Sequence, residues 1–453
     1  MRSLFHGRTG MFATAASVLL LVACNGQGSA QQSSDAFVRW ATSHAAPIRT
    51  EEAGGDEADL RPLEKMARAA RVVALGEPAH GAHEPLALRN RLFEFLVERM
   101  GFTAIAIESG LSESQRVQKF VLGGRGTARD VVRHGLTWGF GELDENVALV
   151  QWMHDYNANP AHSRKIRFYG IDLSSGGDAA FGRARVTIDA ALSFLERADT
   201  ASANGMRAKL EPYLDRFSSP GYPKLAPMDR DRVSAAIDGI ISMLERERAT
   251  LVTNSSEADY EWALRNAESA RQLDAFFRVE PPPTADGSMP PTLYRAMNVR
   301  DSSMAANLEW VLAREGAQGR VMLYAHDAHV MRSALIGPLW KSFARPATSM
   351  GVHLGQELGP SLFIIATSSA NNAPGLPQAT LDSSSVDAAL ARVGPPLFLL
   401  KLRSAEQSAG ATSWLAERHR FRINFDTYIE VVPDSAFDAL MFVNSLTRSG
   451  ASP

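Results

Sequence analysis

The chain alternates short apolar runs with longer stretches of helical period. Residues 72–75 (Val-Val-Ala-Leu) are apolar, stop at Gly76, and are followed by Glu77, His80 and His83. A helical pattern runs over 84–100, and a second apolar run, 103–107, ends on Glu108. By period and length this reads as strand, loop, helix, strand. Two strands joined by a helical crossover lie parallel in one sheet, so both loops leave on the same side. Open α/β sheets place their sites at that edge. Glu77, His80 and Glu108 are therefore expected to be neighbours.

The helix between them has apolar positions at Leu86, Leu92, Phe93 and Leu96, with Arg89 on the same stripe. A single arginine there usually packs its stem and lets its head reach water. A guanidinium cannot shed its charge and needs a partner when buried. Facing loops that end in two carboxylates, Arg89 is expected to pair with Glu77, Glu108 or both.

The same period places helices over 35–45, 60–70, 112–122 and 147–156, and a strand over 166–171 that ends on Asp172. Residues 178–279 carry no strand pattern. Val233, Ile237, Ile240, Ile241 and Leu244 form one helical stripe there, and 260–277 another. The prolines of 281–291 close this region as a linker. A helix over 293–314 and a strand over 320–325 follow, and the strand runs into His326-Asp327-Ala328-His329. Runs at 362–367, 397–402, 428–432 and 439–443 supply later strands, with room for antiparallel ones. Before them Met350-Gly351-Val352-His353 reads as a glycine-containing turn. The fold class is α/β: a mostly parallel central sheet flanked by helices, with an inserted helical subdomain. The expected division is 35–178 and 293–453 for the two halves of the core, and 179–292 for the insertion and linker.

Length fits this division, since 453 residues exceed one simple core. Net charge is −3 and charged residues make up 21%, which excludes a nucleic-acid footprint. Arg2 and Arg8 precede an apolar stretch from 11 to 22, the pattern of a secretory signal over 1–23. Cys24 is the sole cysteine, so no disulfide forms within the chain. Its place after Leu21-Val22-Ala23 resembles a bacterial lipobox. The expectation is a lipoprotein attached to a membrane through lipid on Cys24, facing the periplasm or the cell exterior, with 24–34 as tether.

Glu77, His80, Glu108, Asp172, His326 and His329 all fall at strand ends. A lone histidine there is more often structural than catalytic. Three histidines with three carboxylates on one edge make a set of titratable groups suited to acid–base work. No Gly-x-Ser-x-Gly elbow is present and the one cysteine belongs to the export signal, which disfavours a covalent hydrolase. No phosphate loop is present either. Water activation by histidine and a metal centre remain. For the second, His80-x-x-His83-Glu84 and His326-x-x-His329 could supply ligands. The arginine expected among the carboxylates would compete with a cation, so no cofactor is expected, with metal as the alternative.

These residues resemble the erythromycin esterase family. The resemblance is carried by Leu75-Gly76-Glu77-Pro78-Ala79-His80-Gly81-Ala82-His83-Glu84, Arg89, the strand ending on Glu108, Trp152-Met153 with Tyr156-Asn157, Phe168 to Asp172, Arg300-Asp301 with Met304-Ala305 and Asn307, Ala325 to His329, and Ser349 to Leu354. It implies hydrolysis of a small ester or macrolide lactone by activated water, without a covalent intermediate. By position His80 would be the base, held with the water by Glu77, Arg89 and Glu108, while His326 and His329 complete the cleft. His83, Glu84, Asp172 and His353 are further candidates. Asp327 departs from the asparagine expected between the two histidines, which keeps a non-catalytic, lipid-anchored binding protein as a third reading.

Overall fold

The computed structural model describes residues 31–174, 184–282, 284, 286–378, 380–403 and 408–450. Cys24, the expected export signal and most of the expected tether lie outside them. Residues 31–44 are helical, so the first helix starts inside the stretch expected to be tether. No helix among the described residues is long and apolar enough to cross a membrane.

The described residues form twelve strands: β1 (Ala46–Pro47), β2 (Val72–Glu77), β3 (Ala104–Gly110), β4 (Arg167–Asp172), β5 (Val321–His326), β6 (Ala334–Leu335), β7 (Ala347–Thr348), β8 (Leu362–Asn372), β9 (Leu397–Lys401), β10 (His419–Ile423), β11 (Thr427–Val431) and β12 (Ala439–Leu446). Eight make one sheet in the order β1-β9-β12-β8-β2-β5-β3-β4. The six from β12 to β4 are parallel, and β9 joins the edge antiparallel to β12. β2 and β3 share the sheet as expected, but β5 lies between them. That insertion brings His326 in beside Glu77, its register partner. The run at 428–432 is not in the main sheet. It forms β11 of a separate hairpin with β10, a strand that the sequence pattern did not reveal.

Both faces of the parallel strands are covered, which explains their unbroken apolar runs. Val73, Leu75, Ile105, Ile107 and Met322 face Leu86, Leu92, Phe93 and Leu96 of helix His83–Met100. Val72, Ala74, Ala106 and Leu323 face Met304, Leu308 and Val311 of helix Tyr294–Glu315. Burying a side chain such as Phe93 or Leu96 stabilises the fold by roughly 1.5–3 kcal/mol. Helix His83–Met100 ends at Gly101, whose φ of 70° is the left-handed conformation that stops helices.

Between β4 and β5 the described chain is helical. Val233, Ile237, Ile240, Ile241 and Leu244 of helix Pro227–Arg246 pack with Ile188, Leu192 and Leu195 of helix Val186–Ala198 and with Leu273 and Phe277 of helix Glu257–Val279. This helical layer meets the core through Ser112 Oγ, which donates to Asn266 Oδ1 at 2.5 Å.

Candidate active site

Local backbone features aim the acidic groups. Glu77 closes β2 and Asp172 closes β4. Between β3 and β4 the register slips by one residue across Ile107 to Gly110, and Glu108 sits in that irregularity. Such a bulge re-aims side chains. Gly170 permits it, because a Cβ there would lie 2.5 Å from the Ser109 carbonyl oxygen. On β2, a Cβ at Gly76 would lie 2.0 Å from Asp327 Oδ1. Only glycine lets that carboxyl pack beneath the strand.

Two clusters of charge meet at this edge. In the first, His80 Nδ1 is 2.5 Å from Glu77 Oε1, and the Tyr324 hydroxyl donates to Glu77 Oε2 at 2.5 Å. The Arg89 guanidinium lies 4.9 Å from the centre of the Tyr324 ring. In the second, Arg300 donates through Nε and Nη2 to Asp172, at 3.0 and 2.6 Å, and through Nη2 to Glu108 at 2.8 Å. Trp138 Nε1 donates to Asp172 Oδ2 at 2.8 Å, and its ring stacks against Arg300. His329 Nδ1 is 2.8 Å from Asp301 Oδ1, and its Nε2 is 3.4 Å from Glu108 Oε1. The clusters face each other across a gap of 3.9 Å between His80 Nε2 and Glu108 Oε1. His80 is the open member, with 40% of its side chain exposed, against 3% for Glu108.

His326 stands between them. The Ala328 backbone N–H donates to its Nδ1 at 3.1 Å, so the neutral ring carries its proton on Nε2, which faces Asn424 Oδ1 at 3.1 Å. Its own backbone N–H donates to Glu108 Oε2 at 2.8 Å. The His80 and His326 ring centres are 5.1 Å apart, and His326 and His329 are 6.4 Å apart.

Charge state follows from these contacts. Burial opposes protonation of His80, but the charges of Glu108 and then Glu77, with the Glu77 hydrogen bond, raise it above its ordinary 6.5. Burial likewise opposes the charge on His329, yet Asp301 and Glu108 push it up to about 10. Burial and the neighbouring His80 charge push His326 down to about 3, leaving it neutral. Burial alone would raise Glu108, but His329, His80 and Arg300 hold it well below the usual carboxylate range. Burial keeps Asp327 well above that range, with one oxygen accepting from the Thr367 N–H and the other without a partner.

The structure thus brings together Glu77, His80, Glu108, Asp172, His326 and His329. Four expectations need correction. Arg89 is fully buried, yet it pairs with neither Glu77 nor Glu108. It donates to Asn90 Oδ1 and to Asn146 Oδ1, and reaches Glu77 only through the Tyr324 ring. The position that pairs with Glu108 is taken by Arg300, which enters from another helix. His83 turns away to Glu145 and Glu52, at 2.6 and 2.9 Å. Glu84 is spent on the C-terminal segment, accepting from the Thr447 N–H and hydroxyl. His353 lies on helix Met350–Leu358 rather than in a turn, beside Glu309, which is nine residues or about 14 Å along its helix from Arg300.

Tyr324, Arg300, Asp301 and Asn424 were missed as site residues, although Arg300 and Asp301 belong to the stretches that carry the resemblance. Asp301 had a readable signal: with Met304, Ala305 and Leu308 it keeps helical spacing on the buried face, the same anomaly that marked Arg89.

The donor atoms bear on the metal alternative. Both nitrogens of His326 and of His329 are engaged, and His80 and His83 point to different partners. Among the described residues one trio of potential ligands lies close enough to share an ion, Glu51, Glu52 and His83, and none of the three is among the converged residues named above.

Comparison with known proteins completes the picture. The model of the erythromycin esterase family matches residues 97–446, a span that holds Glu108, Asp172, Arg300, His326, His329 and Asn424 and begins after the His80 loop. Erythromycin esterase type II of Escherichia coli is 24% identical over 306 residues, covering 66% of this chain and 70% of that protein. Among solved structures, a Bacillus cereus protein superposes with a TM-score of 0.76 at 22% identity, over 93% of this chain and 99% of that one. A variant of the erythromycin esterase EreC in its open conformation gives 0.68 at 19% identity, over 88% and 96%. The family match spans most of the sequence, and the chain belongs to the erythromycin esterase family of hydrolases.

Proposed function

We propose that this hydrolase opens a carboxylic ester or a macrolide-type lactone with water activated by His80, without a covalent intermediate and without a metal. The observation that carries the reading is the gap between His80 Nε2 and Glu108 Oε1. At 3.9 Å it is too long for a direct hydrogen bond, and the His80 side chain that borders it is partly exposed. A water held there touches a base on one side and an acceptor on the other.

Glu77 accepts the Nδ1 proton of His80 and so leaves Nε2 free to take one from water. The hydroxide adds to the acyl carbon. Negative charge develops on the former carbonyl oxygen, beside the positive charges of His329 and Arg300. Collapse breaks the acyl–oxygen bond, and the proton on His80 passes to the departing alkoxide. One ester and one water give one acid and one alcohol; in a lactone both stay in one opened molecule. Trp138 and Phe140 flank the site and would meet the apolar part of such a substrate.

The similarity to enzymes named for erythromycin supports a macrolide among the substrates, and export through Cys24 would place the reaction outside the cytoplasm. The test is a panel of macrolides and simple esters given to chelator-treated, metal-free, full-length protein in detergent. Ring opening or ester cleavage at the untreated rate is expected. Activity lost on stripping and restored by added metal would overturn the metal-free reading, and binding without turnover would overturn the catalytic one.

A further inference from the structure

Asn424 has no place in the reading above, and its surroundings give it one. It occupies the turn between β10 and β11, outside the main sheet. Asn424 and Phe425 both have positive φ, 50° and 68°. Asparagine visits this left-handed region readily, whereas phenylalanine rarely does. Two such residues in succession persist only when the surroundings hold them. Here the Asp426 N–H donates to the Asn424 carbonyl oxygen at 2.9 Å, and Asn372 Nδ2 donates to the Phe425 carbonyl oxygen at 3.0 Å.

The held turn reaches two parts of the site at once. The Asn424 backbone N–H donates to the Pro78 carbonyl oxygen at 2.6 Å, in the loop that carries His80. The Asn424 side-chain oxygen faces the Nε2 proton of His326 at 3.1 Å. Its orientation follows from the ring: Nδ1 already accepts from the Ala328 N–H, so Nε2 must donate and Asn424 must present oxygen.

We infer that Asn424 is a positioning residue of the reaction, fixing the direction of the His326 ring through its side chain and the His80 loop through its backbone. The two imidazoles stand 5.1 Å apart at ring centres, His80 in the loop after β2 and His326 at the end of β5. Asn424 ties the loop after the first strand to the ring at the end of the second. Without the amide, Nε2 loses its acceptor and the ring is held only at Nδ1 by the Ala328 N–H, so His326 is free to turn out of its place beside the His80 base.

This inference rests on His80 as the base, so His80→Ala is measured alongside. Asn424→Gly is the main variant, since glycine keeps the left-handed backbone and removes only the amide. Its kcat is expected to fall on the order of 10–100-fold, the scale of a misplaced catalytic group, with KM within about twofold of the parent. In full-length protein labelled with 15N-histidine, the His326 Nε2–H signal is expected to be that of a hydrogen-bonded ring in the parent and to shift and broaden in Asn424→Gly, where the ring has lost its acceptor. Parental kcat and an unchanged His326 signal in that variant, with His80→Ala inactive, would overturn this inference alone. Full activity of His80→Ala would overturn the base assignment and this inference with it.

Discussion

Replacing Glu77 by glutamine removes one negative charge from beside His80 with little change of shape. Glu77 Oε1 takes the His80 Nδ1 proton and Oε2 takes the Tyr324 hydroxyl proton. A glutamine can keep both contacts: its oxygen accepts from His80, and its NH2 donates to Tyr324 once that hydroxyl rotates. Stability should therefore change by no more than about 1–2 kcal/mol. Basicity should change much more. Two unit charges about 4 Å apart at an effective dielectric of 20 interact by about 4 kcal/mol. Measured effects of a charge at that range are about 1–3 pKa units, or roughly 1.4–4 kcal/mol. A neighbouring anion favours the imidazolium, so removing it lowers the proton affinity of His80. In the parent protein, kcat/KM should rise with pH along an acid limb whose midpoint lies above 6.5. In Glu77→Gln that limb should move down by about 1–3 pH units. The alkaline plateau should fall by roughly 10²-fold or more, because the base is weaker and less firmly oriented. The assay is kcat/KM from pH 5 to 10 on the best ester or lactone found, with circular dichroism to show that the variant folds. An unmoved limb together with an unchanged plateau would refute the assignment of Glu77 and His80 as a working pair.

Other perturbations probe the remaining parts. Arg300→Gln leaves Glu108 and Asp172 buried beside one fewer cation, and should cost about 3–5 kcal/mol in urea unfolding along with most activity. His329 is raised to about 10, so its share of stability is complete below 6.5 and is lost as pH climbs through 10. His329→Gln should flatten the stability–pH curve between those limits, as read by thermal melts across the range. On the proposed lipid attachment, Cys24→Ser should abolish lipid labelling and move the chain out of the membrane fraction, which fractionation and mass spectrometry of the N-terminus would check; labelling unchanged in the variant would refute that attachment.

Much of the sheet was legible because parallel strands buried on both faces write continuous apolar runs. Those at β2, β3, β5, β8, β9 and β12 could be read directly. The order of those strands could not be read, because it depends on which faces match in space. Thus β5 enters between β2 and β3 without a local mark. The hairpin β10–β11 was half missed: β10 reads His-Arg-Phe-Arg-Ile, an alternation with only two apolar positions, too short to stand out from its surroundings. Within the site, strand-end groups were legible because a polar residue closing an apolar run stands out. The buried cation at Arg89 was legible from the helix stripe, but its partners were not. Asn146 and Asn90 are neutral amides, and nothing in a sequence distinguishes such a cradle from an ion pair. Arg300 is harder still, since it lies off the apolar stripe and gains its meaning only from Glu108 and Asp172, which arrive from distant strands. Asn424 could be read as a turn residue and no more, because its role is a contact made across the fold.

The claim at the centre is that His80 primes water for direct attack on an acyl carbon. Hydrolysis of a cleaved macrolide or ester in H₂18O, by the parent and by His80→Ala, tests it most directly. The account predicts one 18O atom in the new carboxylate, no acyl-enzyme trapped by hydroxylamine, and a rate at least about 10²-fold lower in the variant. A trapped acyl-enzyme, or a variant as fast as the parent, would contradict it.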